Sequence, residues 1–256
     1  MTPLDCALIE KAGHDHGFEH VLTAHDGTVC LGSARHPAKV AVSMSQGGYA
    51  VTLTQGPGSL PAELMRNFAQ WPKAAEAFLA SNEAELAQWL QRASVLAQSL
   101  PNQAAVDFET QVQQALAVLP GGDSKNTEIM RMVRQRVGQD RFRQAMLTYW
   151  GGACAVTGLS LAAALRASHA KPWAQCATDA ERLDVFNGFL LSANLDALFD
   201  QFLISFKDDG TMLISQNLTA DDCKALGVNE SLRLRWVAEQ HIEYLKYHRD
   251  YFSVKG

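Results

Sequence analysis

Apolar and polar positions alternate along the first part of the chain, after one short amphipathic stretch at residues 5–13. Residues 20–24, 28–31, 39–43 and 49–54 look like strands, with turn signals at Asp26-Gly27, His36-Pro37 and Gly47-Gly48 between them. Alternation bounded by such turns predicts a small antiparallel sheet of hairpins. Gly56-Pro57-Gly58 ends this pattern, and the period lengthens to that of a helix. One helix is expected from Pro61. A second is expected through Leu100, opened by Asn82 with Glu85 three residues on, and apolar at Leu86, Trp89, Leu90, Ala93 and Leu96. Pro101-Asn102 stops it and caps a third, with Val106, Phe108, Val112, Leu116 and Val118 as its apolar positions.

The run Pro120-Gly-Gly-Asp-Ser-Lys-Asn126 is the best linker in the chain. It divides an N-terminal α+β domain, residues 1–119, from a C-terminal domain, residues 127–256. Two helices are expected next, a basic one over 127–137 and another over 140–150 ended by Gly151-Gly152. Strands are expected at 165–170 and 188–191, and a short helix at 193–199. A hairpin is expected around Asp208-Asp-Gly210, a short helix after Thr219, and a closing amphipathic helix over 235–251.

Composition narrows the class. The 256 residues can bury one large core or two modest ones. No apolar run approaches the roughly 20 residues of a membrane span, and residues 1–20 lack the apolar core of a secretory signal. The five cysteines are scattered, with no C-x-x-C pair, which points to a reducing cytoplasm and to neither a disulfide framework nor a structural zinc. Net charge is −5. All of it lies in residues 1–125, with 7 Lys+Arg against 12 Asp+Glu; residues 126–256 are balanced at 15 each. Contact with nucleic acid is therefore expected from a local feature, and Arg131, Arg134, Arg136, Arg141 and Arg143 lie within 13 residues.

The chemistry gathers in residues 166–200, where a histidine, an asparagine and two late aspartates fall on a strand, a loop and a short helix. Phosphodiester hydrolysis needs an activated water, a cation against the developing charge, and help for the leaving alkoxide. His169, largely neutral at pH 7, suits a general base. Asn187 can hydrogen-bond the imidazole or hold the loop. Asp196 and Asp200, four residues apart, share one helix face, and hard carboxylates suit Mg²⁺ or Mn²⁺. No Gly-x-Ser-x-Gly, P-loop or dinucleotide fingerprint competes.

Three runs together, Gly152-Ala-Cys-Ala-Val-Thr-Gly158, Ala167-Ser-His-Ala-Lys-Pro-Trp173 and Asn187-Gly-Phe-Leu-Leu-Ser-Ala-Asn-Leu-Asp-Ala-Leu-Phe-Asp200, resemble the HNH endonuclease family, in its cysteine-poor branch without structural zinc. Gly138-Gln-Asp-Arg-Phe-Arg143 and Tyr244-Leu-Lys-Tyr-His-Arg249 extend the resemblance over about residues 128–252. It implies a ββα-metal fold flanked by helices and a nuclease that uses one divalent ion, Mg²⁺ or Mn²⁺, or Ni²⁺. His169 matches the family's general base and Asn187 its central asparagine. Asp196 stands where the family carries a metal-binding histidine or acid. Ser168 departs from the pattern: many members have an aspartate metal ligand there, so Asp196, with Asp200 or water, would carry more of the charge.

Several side chains keep two readings. Asp200 is a metal ligand or the fixing point of the next turn. Arg134, Arg141, Arg143 and Lys171 contact phosphate or belong to solvated faces, and Arg141 and Arg143 could instead orient the ββα unit. Trp173 reads as packing rather than base stacking. The expected protein is thus a cytoplasmic α+β DNA endonuclease, without a membrane segment, serving restriction or defence. Its substrate would be duplex DNA, modified or not, a homodimer would suit cutting of both strands, and the acidic first domain would target or sense. The alternative is a catalytically weak regulator of HNH shape.

Overall fold

β-Branched residues recurring every second position bring the first strands into register. β1 (His20–His25), β2 (Thr28–Gly32), β3 (Lys39–Ser45) and β4 (Gly48–Gln55) form an antiparallel meander. Val29 pairs with Val42 and Val42 with Val51, and all three are buried on one face. α1 (Pro3–Asp15), opened by a Thr2–Asp5 capping box, packs on β2, and α3 (Glu83–Ser99), capped by Asn82, packs on α1 and β4. α2 (Leu60–Asn67) buries Leu60 and Leu64 and pairs its buried Glu63 with Arg66. In the computed structural model described here, residues 1–25, 27–100, 103–118 and 127–255 are described. Asp26 of the first expected turn, the Pro101-Asn102 helix stop and the 120–126 linker lie outside them.

The sheet is wider than the alternation pattern indicates. Two short strands, β5 (Lys73–Ala74) and β6 (Ala77–Ala80), extend it to six in the order β1-β2-β3-β4-β6-β5. Strands of two and four residues are too short to show a period, and only pairing with β4 defines them. Tyr49 lies opposite Ala80 and Val51 opposite Phe78. Gly48 permits the approach, since a Cβ there would lie 2.1 Å from the Ala80 carbonyl oxygen.

The described residues divide into two compact units, Met1–Gln103 and Ala104–Gly256. α4 (Gln103–Ala117) therefore groups with the second unit. There Arg134 stacks over Phe108 at 5.2 Å and meets Glu109 at 3.0 Å, and Arg141 donates to Gln111 at 2.6 Å. Val118, expected on the apolar face of this helix, is exposed.

One continuous helix, α5 (Thr127–Tyr149), replaces the two expected over 127–137 and 140–150. Gly138 does not break it. Its missing side chain makes room for Trp173, whose ring would lie 2.2 Å from a Cβ at this position. β7 (Leu165–His169) and the wholly buried β8 (Gly188–Ser192) pair antiparallel, and α7 (Ala193–Asp200) packs across both. The connection between the strands carries α6 (Asp179–Leu183), capped by Thr178. β9 (Ile204–Phe206) and β10 (Met212–Ile214) form the expected hairpin, and α8 (Ala220–Leu226) follows Thr219.

The closing helix α9 (His241–Lys255) starts later than residue 235. The preceding segment is held extended: the Met212 N–H donates to the Leu232 carbonyl at 3.1 Å, the Leu234 N–H to Gly210 at 2.9 Å and the Arg235 N–H to Ala155 at 2.7 Å. Trp236 then stacks on Trp150 at 4.1 Å, a tertiary contact that outweighs local helical periodicity.

In an open helix Gly138→Ala would add roughly 1 kcal/mol of stability. Against the Trp173 ring it is expected to destabilise the protein instead, by about 1–3 kcal/mol. Urea denaturation decides the sign, and a stabilised variant would refute this account of Gly138.

Candidate active site

The β7–β8–α7 unit depends on close backbone approach. Gly188 lies opposite His169, and a Cβ on Gly188 would sit 2.0 Å from the Ser168 carbonyl oxygen and 3.1 Å from the Phe142 ring. No other residue fits there without displacing the strand that carries His169.

The His169 ring stacks on Phe142, with centroids 3.7 Å apart at 17°, and meets the edge of Trp173 at 5.9 Å. Its Nε2 lies 2.9 Å from the Arg182 carbonyl oxygen. A carbonyl only accepts, so Nε2 carries the proton and the lone pair is on Nδ1. Among the described residues nothing is hydrogen-bonded to Nδ1. Burial pushes the imidazole pKa down to about 4, against a smaller upward pull from the Arg182 carbonyl, so the ring is neutral at pH 7.

Asn187 is fully buried and does not bond the imidazole. Its Oδ1 accepts from the Lys171 N–H at 2.8 Å. Its Nδ2 faces the carbonyls of Glu181 at 3.1 Å and Lys171 at 3.3 Å, and the Cys176 sulfur at 3.3 Å. Of the two roles open to this amide, holding the loop is the one the geometry displays. The Ala170 N–H adds a bond to the Asn187 carbonyl at 3.0 Å. The loop held this way includes Arg182, whose carbonyl orients His169.

Ser168, also buried, donates its hydroxyl to Oδ1 of Asp196. Asp200, one turn further along α7, has its carboxyl pushed up to about 6, by desolvation and then by the Asp196 charge. A carboxyl raised by desolvation and by its neighbour's charge, with a hydroxyl beside that neighbour, fits a hard divalent cation that keeps other positions for water or phosphate oxygen. Among the described residues no three His, Cys, Asp or Glu side chains gather as a ready-made metal cage.

His169 and Asp200 line one cleft of about 560 Å³, together with Arg143, Arg166, Gln139 and Trp173. Arg143 is anchored through the carbonyls of Leu165 at 2.8 Å and Ala162 at 3.3 Å, so it orients the strand and also borders the cleft. Arg166, exposed, bonds the carbonyls of Ala163 and Leu165, both at 2.9 Å. Three further candidate cations are engaged elsewhere: Arg134 with Glu109 and Asp179, Arg141 with Gln111, and Lys171 with Glu181 at 2.5 Å.

Three participants carry no signal in the local sequence. Phe142 is one more apolar position of an amphipathic helix, yet it forms the floor under His169. Arg182 contributes a backbone carbonyl, which any residue type could supply. Arg166 was legible only as the first residue of the 166–200 stretch; its place in the cleft comes from the pairing of its strand with β8.

Residues 154–207 match a family model described as HNH endonuclease. No curated protein matches the chain. The matched segment runs from the turn at Cys154 through the hairpin strand β9, and so contains β7, β8, α7 and every residue of the His169–Asn187–Asp196 set. In the C-terminal part of this chain, residues 154–207 are thus similar to the HNH endonuclease family.

Proposed function

We propose that the chain is a metal-dependent DNA endonuclease in which His169 is the general base. The observation that carries this reading is the state of His169: Nε2–H is committed to the Arg182 carbonyl, and Nδ1 is left with its lone pair in a cleft bordered by Arg143 and Arg166. A phosphodiester bound beside these two arginines meets the water that Nδ1 deprotonates. The proton moves to Nδ1, the water oxygen bonds to phosphorus, and the bond from phosphorus to the leaving 3′-oxygen breaks. Alone, the buried ring is a weak base, at about 4. The negative phosphate brought next to it favours the imidazolium and raises its basicity when substrate is present. Asn187 acts as a positioning residue, through the loop that presents the Arg182 carbonyl.

Asp196 and Asp200 are the residues that would hold the divalent ion, with Ser168 fixing Asp196. When bound, Mg²⁺, Mn²⁺ or Ni²⁺ supplies charge neutralisation at the phosphate and the leaving oxygen. Duplex DNA is the proposed substrate, restriction or defence in the cytoplasm the proposed setting, and a homodimer the simplest way for one site per chain to cut two strands. The N-terminal unit, rich in acidic residues, is proposed to target or sense. The second reading is an HNH-shaped regulator without turnover, favoured by Ser168, a neutral hydroxyl where a third carboxylate would otherwise strengthen cation binding.

Supercoiled-plasmid cleavage separates these readings. Wild type is expected to nick with Mg²⁺, Mn²⁺ or Ni²⁺, and His169→Ala to lose about 10²–10⁴-fold; uncut DNA under every metal would leave the regulator. Asp196→Asn and Asp200→Asn are each expected to weaken Mn²⁺ binding in calorimetry by at least about tenfold, and unchanged affinity would remove them as ligands. Asn187→Ala is expected to lower stability by roughly 2–4 kcal/mol and to abolish cutting. An active, fully stable Asn187→Ala protein would contradict its positioning role.

A further inference from the structure

A second groove, of about 480 Å³, runs along the first turns of α5. Thr127, Met130, Arg131 and Arg134 recur on one side of the helix at helical spacing, and Trp173, Asp179 and Arg182 line it as well. Its charge is unevenly compensated. Arg134 and Arg182 share Asp179, at 2.7 and 2.9 Å, and Arg134 also meets Glu109 at 3.0 Å. Two guanidiniums are thus matched by two carboxylates. Arg131 is exposed and has no hydrogen-bond or ionic partner among the described residues. The groove therefore holds one uncompensated positive charge.

The groove also adjoins the catalytic cleft. Trp173 lines both, and its ring lies 5.9 Å from that of His169. A strand whose scissile phosphate sits at His169 and passes Trp173 enters this groove next. We propose that the groove is the track for the DNA strand flanking the scissile phosphate, with Arg131 contacting a backbone phosphate there. This rests on the nuclease reading and adds a residue and a direction to it. The contact is to phosphate rather than to a base edge, so it contributes salt-dependent affinity and no sequence preference.

The test is binding of fluorescein-labelled DNA, single-stranded and duplex, to the full chain in EDTA, followed by anisotropy between 50 and 200 mM salt (assay concentrations on the order of those in which phosphate contacts are resolved). Arg131→Ala is expected to weaken binding about fivefold and to reduce the salt slope by about one. Arg136→Ala, equally exposed on α5 but outside the groove, is the control and is expected to change affinity less than about twofold. Equal losses in both variants, or no loss in Arg131→Ala, overturn the proposal. So does a wild type that binds neither DNA. Plasmid cleavage is scored separately: cutting by wild type together with unchanged binding in Arg131→Ala rejects the track and leaves the nuclease standing.

Discussion

The C-terminal unit turns on one buried carboxamide. Asn187 reaches across the connection between β7 and β8 and gathers the backbone at Lys171 and Glu181 with the sulfur of Cys176. A fully buried amide left without these partners would be strongly destabilising, so the loop and the side chain enforce each other. The consequence reaches His169 through the Arg182 carbonyl, one residue beyond Glu181. Orientation and tautomer of the imidazole are therefore set by a residue that never touches it.

Aromatic plates do the rest of the positioning. Phe142 lies flat under His169, and Phe199 lies flat under His248 at 3.8 Å. His248 is held at both nitrogens, donating Nε2–H to the Phe199 carbonyl at 3.0 Å and accepting from the Ser205 hydroxyl at 2.9 Å. Burial pushes it, like His169, down to about 4. The two histidines share an electrostatic condition but differ in what remains free. His248 has both ring nitrogens engaged and ties α9 to α7 and β9. His169 has one nitrogen engaged, and the other borders the cleft.

Charge in this domain is mostly spent internally. Arg134, Arg182 and Lys171 are paired with Glu109, Asp179 and Glu181, while Arg143 is held by backbone carbonyls. An overall balance of charge in this half of the sequence is matched at the cleft, where Arg143 and Arg166 share the border with Asp140 and Asp200. Asp200, raised by desolvation and by the Asp196 charge, is the carboxyl of this border best suited to a divalent cation.

Much of this was legible in the sequence. Periods of two and 3.6, the caps at Asn82 and Thr219, and the turn at Asp208-Asp-Gly210 determined strands and helices because each depends on neighbours within a few residues. The motif around His169, Asn187 and Asp196 likewise identified the ββα segment. The tertiary structure decided what local pattern does not encode. Residues 127–137 and 140–150 read as two helices, yet one helix runs through Gly138, above which Trp173 is packed. Residues 235–240 read as helix until backbone bonds to Gly210 and Ala155 draw the segment out. β5 and β6 have no period to detect and exist through pairing with β4. The sequence by itself thus determined which local strands and helices form and which segment matches the family, whereas the fold decided which atoms of His169, Asn187 and Ser168 are engaged, since hydrogen bonds and ion pairs are settled by partners far away along the chain.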